Sequence, residues 1–294
     1  MSLDVRSPKL LDLIDANAEL EQLGTGCEFT EGPVWHSEGK FLLFSDIPAN
    51  QMKKWTAEEG ITNFRVPSGK SNGLTYDKQG RLVTCEHANR RVSRTEADGT
   101  VVTIASHYED KRLNSPNDVV VKSDGSIYFS DPPYGLTADY GIEGEQDLDF
   151  QGVYRLSADG QTLTLLVDDF DRPNGLCFSP DESILYIDDT ERMHIRAFDV
   201  QPDGTIANGR VFAEEEGEGA APDGMKIDVH GNVYLTGPGG IWVFDTSGEH
   251  LGVIQTPERS ANLAWGGDDW STLFITASTS LYSVQCKVSG IPVP

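Results

Sequence analysis

Oxygen-bearing side chains recur along this chain in a pattern that could hold a hard cation. Glu31, Asn72, Asn117, Asn174, Asp223 and Asn262 each open a similar stretch of sequence. Carboxylate and amide oxygens suit Ca²⁺, Mg²⁺ or Mn²⁺ better than zinc. Two of the six groups are carboxylates, enough to balance a divalent charge. The same stretches close on a second polar set: Asp46, His87, Asp131, Asp188 or Asp189, and Gly237. Asn-Gly and Asp-Gly are also favoured turn pairs, so Asn72, Asn174 and Asp223 carry a plainer reading as strand starters. Glu31 weighs against that reading. Glu-Gly-Pro has no special turn preference, yet a glutamate stands where the other stretches place Asn or Asp.

The elements that must position these groups are hairpins. Asn117–Asp131, NDVVVKSDGSIYFSD, reads as a strand at Asp118–Val121, a turn at Ser123–Gly125 and a returning strand at Ile127–Ser130. β-Branched and aromatic residues on both sides of an Asp-Gly pair form such hairpins. The pattern repeats at Glu31–Asp46, Asn72–His87, Asn174–Asp189, Asp223–Gly237 and, more loosely, Asn262–Ala277. Its starts lie 41, 45, 57, 49 and 39 residues apart. A period of about 40–50 residues with several short strands per unit marks a β-propeller.

Two more strand-like runs follow each hairpin except the last, which is followed only by Ser280–Lys287. Glu19–Cys27 is the one spare strand, and pairing it with the C-terminal unit would close the ring and remove its open edges. The expected fold is all-β: a six-bladed β-propeller of four-stranded blades, one domain over residues 1–294, closed by an N-terminal strand. In such a blade the first strand lines the channel and the second returns to the end where the first began. Openers and closers of the hairpins therefore share one face, around the channel mouth.

Composition narrows the partners. The chain holds 47 acidic and 23 basic residues, a net charge of −24. That argues against nucleic acid and anionic membranes, which need a basic face. The acidity itself reads either as cation attraction or as a plain solvated surface. No apolar run approaches the roughly 20 residues that span a bilayer, and no basic-then-apolar leader opens the sequence. A cytoplasmic location is expected, or a periplasmic one were a leader to precede this chain. Cys27, Cys85, Cys177 and Cys286 show no CxxC spacing and read as buried thiols, although Cys27 and Cys286 lie near the two parts of the closing blade. Monomer and dimer both remain open.

The motifs TEGPVW (Thr30–Trp35), NSPND (Asn114–Asp118), RPNGL (Arg172–Leu176) and PDGM (Pro222–Met225) stand in order at blade spacing. In these the chain resembles the gluconolactonase, SMP-30/regucalcin and luciferin-regenerating-enzyme group of six-bladed propellers. Cys85–Val92 and Ser130–Leu136 resemble its bacterial gluconolactonase branch in particular. The resemblance implies one catalytic divalent cation at the top of the channel, Ca²⁺ first, with Mg²⁺, Mn²⁺ or Zn²⁺ as alternatives. It would be held by Glu31, Asn174 and Asp223, with Asn117 as fourth ligand or substrate contact. Where regucalcin-type members place an arginine two residues before that asparagine, this chain has Ser115. An arginine sugar contact is therefore not transferred.

The expected reaction is hydrolysis of a sugar lactone such as glucono-1,5-lactone, with the metal as Lewis acid and water as nucleophile. Asp223 is the first candidate for general base and His87 the second, His87 reading equally as a hydrogen-bonded histidine under a loop. Asn72 and Asn114 are candidate readers of substrate hydroxyls. Tyr134 lies in a long insertion, residues 133–152, which is expected to cover the mouth; trimming Asp139–Asp149 should then raise KM and leave the fold intact. Two other readings compete: phosphotriester hydrolysis at the same metal arrangement, and a propeller that only binds a partner.

Overall fold

The computed structural model describes residues 2–293. Six antiparallel sheets stand around a central channel. Four strands build blade 1 (Thr30–His36, Phe41–Asp46, Gln51–Thr56, Gly60–Arg65) and four build blade 2 (Ser71–Tyr76, Leu82–Glu86, Arg91–Thr95, Val101–Ala105). Blade 3 is Val119–Val121, Ile127–Asp131, Gly152–Leu156 and Leu163–Val167; blade 4 is Pro173–Phe178, Ile184–Asp189, His194–Val200 and Ile206–Glu214. Blade 5 is Met225–Ile227, Val233–Gly237, Gly240–Phe244 and His250–Gln255. Blade 6 is Ser260–Gly266, Thr272–Ala277 and Ser280–Gln285, completed by Glu21–Thr25. Glu21 pairs with Ser283 and Thr25 with Ser280, so the N-terminal strand closes the ring.

The alternation of side chains explains the packing. Leu42 and Phe44 point toward blade 6, while Leu43 and Met52 point toward blade 2. Each sheet thus buries both faces, because successive residues of a strand face opposite sides. One hydrophobic cluster fills each of the six inter-blade gaps. A Leu or Phe fully buried there contributes roughly 1.5–3 kcal/mol. The cluster between blades 5 and 6 also takes Leu10, Leu13 and Ile14 from the N-terminal segment.

Leu3–Val5 pairs with His250–Gln255 as a fifth strand of blade 5, and Leu10–Leu13 forms a single helical turn. All four cysteines are buried and unpaired, Cys27 and Cys286 in different clusters. No helix among the described residues is long and apolar enough to cross a membrane.

Glu215, just after the last strand of blade 4, is buried beside Gly237 of blade 5. A Cβ on residue 237 would meet its carboxylate oxygen at 2.3 Å. Neither oxygen has a hydrogen-bond partner among the described residues, and burial pushes the carboxyl up to about 9. Glu215 therefore folds as the neutral acid. Its contribution is fully present below the ordinary value of 4.5 and is lost as pH rises through 9. Glu215→Gln, which cannot ionise, is expected to flatten that loss by roughly 5 kcal/mol between pH 5 and 9. Parallel denaturation profiles for the two proteins over that range would refute the assignment.

Candidate functional site

The openers sit where the strands are irregular. In blade 1, Glu31 pairs with Ser45 but Val34 pairs with Leu43, so one extra residue is fitted in. The same shift occurs between Ser71 and Leu74, between Pro173 and Leu176, and between Ser260 and Asn262. Such bulges turn a side chain off the regular pleat. In blades 3 and 5 the ladder begins only at Val119 and Met225, after Asn117 and Asp223. Every opener is thus freed to point into the channel.

The glycines behind the openers have a packing cause. Gly73 N–H donates to Asn117 O, Gly175 N–H to Asp223 O and Gly224 N–H to Ala261 O, each across a blade boundary. A Cβ on Gly175 would lie 2.2 Å from Asp223 O. Gly32 adds a positive φ of 50°, with Asn72 O at 2.0 Å from its Cβ position. Asn-Gly here is close approach of neighbouring backbones and not a turn.

At the mouth a cavity of ≈390 Å³ is lined by Glu31, Asn72, His87, Asn117, Asn174 and Asp223 on its floor and by Tyr134, Arg172 and Arg259 on its walls. An amide relay crosses the floor: Asn72 Nδ2 donates to Asn117 Oδ1 (2.7 Å) and Asn117 Nδ2 to Asn174 Oδ1 (2.5 Å). Asn174 Nδ2 continues it to Thr190 Oγ1 (3.1 Å). Glu31 Oε2 accepts from Gly32 N–H (2.6 Å) and from Asn262 Nδ2 (2.9 Å). Asn262 is thereby a support for Glu31 and does not line the cavity.

Glu31 and Asp223 both line the cavity, close enough for their carboxyls to repel one another when ionised. Burial, then repulsion from Asp223 and Asp118, pushes the Glu31 carboxyl well up. Burial raises Asp223 to about 7, against the opposing charge of Arg259. Two like-charged carboxyls beside two amide oxygens are a strained set on their own and a hard-cation donor set together. Glu31, Asn117, Asn174 and Asp223 fit a divalent ion.

His87 is buried and burial lowers it to about 4. Its Nδ1 faces Tyr140 O at 3.1 Å, an acceptor only, so Nδ1 carries the proton. Nε2 lies on the floor between Asn117 Oδ1 at 3.2 Å and Asn72 Nδ2 at 3.4 Å, and with the proton on Nδ1 it accepts from Asn72. A base that weak favours orientation over proton transfer at neutral pH.

Several expectations are corrected by the geometry. Asn114 does not line the cavity: its Nδ2 donates to Asp131 O and Phe150 O, both at 3.0 Å, and anchors the base of the insertion. The closers Asp46, Asp131 and Asp189 each accept two backbone amides from the segment entering their own blade, at Glu28 and Phe29, Asn114 and Ser115, Asp171 and Arg172. They hold the loops and leave the channel to the openers.

Residues missed by the sequence reading complete the site. Asp118 stands where Glu31, Asn72, Asn174 and Asp223 are followed by glycine, and its carboxylate enters the channel, 3.9 Å from Lys226 Nζ. Arg172 lies over the Tyr134 ring at 5.3 Å. A larger cavity of ≈590 Å³ opens at the other end of the channel; Val34, Leu74, Val121 and Phe178 give it apolar walls and no such donor set.

The insertion does cover the mouth. Lys70 Nζ donates to Ala138 O and Asp139 O, Tyr140 packs edge-on against Phe29 at 5.5 Å, and Gly135 N–H donates to Ser115 Oγ. Its far limb is structural, since Leu148 is buried in the core between blades 2 and 3. Trimming Asp139–Asp149 would therefore open that core as well. Gly141→Ala is the cleaner change, because a Cβ there would lie 1.7 Å from Gly135 O. It is expected to raise KM about tenfold with Tm nearly unchanged, the split of a cover that positions substrate. Unaltered kinetics would end the lid assignment.

A family model for the SMP-30/Gluconolactonase/LRE-like region matches residues 29–279. A gluconolactonase from Zymomonas mobilis is 35% identical over 97% of this chain and 86% of its own length. A pentonolactonase from Haloferax volcanii is 28% identical over 86% of this chain and 83% of its own. The solved structure of a gluconolactonase from Xanthomonas campestris superposes with a TM-score of 0.90 at 35% identity, covering 97% and 95% of the two chains.

Proposed function

Since the chain belongs to the SMP-30/gluconolactonase/LRE-like family, we propose that it opens sugar lactones with the help of one divalent cation, Ca²⁺ first. It is a lactone-hydrolysing enzyme, a carboxylic-ester hydrolase. The observation that carries the finer reading is the Glu31–Asp223 carboxyl pair, buried beside two amide oxygens at the base of a polar cavity. Glu31, Asn174, Asp223 and Asn117 would hold the cation, which supplies Lewis-acid polarisation of the lactone carbonyl when bound.

The residues of the chain do the rest. Asp223, a carboxylate at the base of the cavity, is suited to take a proton from the attacking water. The water oxygen adds to the carbonyl carbon, the ring C–O bond breaks, and the ring oxygen leaves with a proton as a hydroxyl. The new acid then loses its own proton to solvent. Asn72 and Asn117, fixed in the amide relay, present polar edges to substrate hydroxyls. The Tyr134 hydroxyl lacks a hydrogen-bond partner in the cavity wall and offers another such contact. A floor of amides favours a polyol lactone over an apolar phosphotriester.

Acid release from glucono-1,5-lactone tests this, in a lightly buffered indicator assay with the spontaneous rate subtracted. After EDTA, activity should fall to the blank and return with Ca²⁺ or another hard cation. Full activity in EDTA would sink the metal, and no rate above blank with any cation would remove this lactone.

A further inference from the structure

Arg259 is the one cationic side chain in the cavity wall whose donors are free. Its guanidinium donates no hydrogen bond among the described residues and stands 4.0 Å from Asp223 Oδ2, beyond hydrogen-bonding distance. Arg172, on the opposite wall, is already engaged by Glu191 Oε1 at 3.3 Å and by the Tyr134 ring. Lys70 is spent on the carbonyls of the insertion.

The backbone that carries Arg259 is held firmly. Glu258 accepts from Thr279 N–H (2.8 Å), Thr279 Oγ1 (2.9 Å), Ser280 Oγ (2.5 Å) and Tyr282 Oη (2.7 Å). Thr256 Oγ1 donates to Glu258 O at 2.9 Å and Ser278 Oγ to Arg259 O at 3.2 Å. Blade 6 therefore presents a half-exposed guanidinium from a fixed root, beside the carboxylate the reaction uses. A planar fork of free N–H donors matches two oxygens of one carboxyl group. Lactone opening makes such a group: negative charge grows on the acyl oxygen as water adds, and the product is a carboxylate.

We propose that Arg259 is a further catalytic residue of this site, whose guanidinium receives the acyl oxygens as charge develops on them and holds the product carboxylate. The assignment rests on the lactonase reading. It predicts that Arg259 acts on the acyl end of the substrate, whereas the floor amides act on its hydroxyls.

The experiment compares wild type, Arg259→Gln and Arg259→Lys at saturating Ca²⁺, with gluconate binding measured by calorimetry on the same proteins. Arg259→Gln should lower kcat about 30-fold, less than the ~10²–10³ of an enclosed oxyanion donor because the group is half-exposed. KM should change by less than threefold, gluconate affinity should fall about tenfold, and added methylguanidinium should restore part of kcat. Arg259→Lys should lie between the two. If Arg259 only screens Asp223, the Arg259→Gln variant will bind Ca²⁺ more tightly and keep its kcat and gluconate affinity, which overturns the proposal. A wild type that turns over no lactone brings down the lactonase reading with it, and that control tells the two failures apart.

Discussion

Glu31→Gln and Asp223→Asn are each expected to lower kcat/KM by about 10³-fold or more and to remove tight divalent-ion binding. Each change preserves size and hydrogen-bonding reach: in Glu31→Gln the new amide oxygen can still accept from Gly32 N–H and Asn262 Nδ2 as the carboxylate does. What is lost is one of two negative charges in a buried donor set, and a single carboxylate among amides holds a divalent ion poorly. Stability should move the other way. Without metal the wild type crowds two buried carboxyls that ionise only at a cost, burial being the largest part of it on each. Both variants should therefore melt at or above the wild-type Tm in EDTA, and neither should gain from added Ca²⁺. The wild type should gain several degrees. Variants that melt lower in EDTA yet still respond to Ca²⁺ would make these carboxylates structural.

The ring was legible because one hairpin is written six times, and its periodicity survives substitution of every other position. Closure was legible by counting strands. The fifth strand of blade 5 was not, since Leu3–Val5 carries no alternation long enough to read. Most of the site followed from the opener spacing, because repeated units put equivalent positions around one axis. Among the closers His87 reaches the cavity, whereas Asp46, Asp131 and Asp189 are carboxylates at the right end of the blade that backbone amides of the entering loops claim first. Asn114 misled similarly, being a polar residue near the mouth whose amide hydrogens go to two carbonyls. Asp118 did leave a signal, as an aspartate where glycine usually follows the opener. Arg259 left none, since a lone surface arginine in a loop looks like any other until the loop is placed.

Proton competition should govern the metal. A cation needs Glu31 and Asp223 both ionised, yet burial raises both in its absence, Asp223 to about 7. Affinity for Ca²⁺ should thus fall as pH falls, by about tenfold per pH unit for each proton displaced, Asp223 contributing below about 7. Calorimetry in buffers of different ionisation enthalpy would count those protons. The same shifts fix the sign for stability. Carboxyls with raised folded values contribute fully below their ordinary range and lose that contribution as pH rises through the folded value, about 7 for Asp223. Metal-free protein should therefore weaken from pH 5 to pH 8, while the Ca²⁺-saturated protein should not, because the ion neutralises the charge that the lost protons had suppressed. The gain in Tm from Ca²⁺ should be small at pH 5 and largest at pH 8. A gain that shrinks as pH rises would mean that protonated carboxyls bind the ion, which the charge balance of this site forbids.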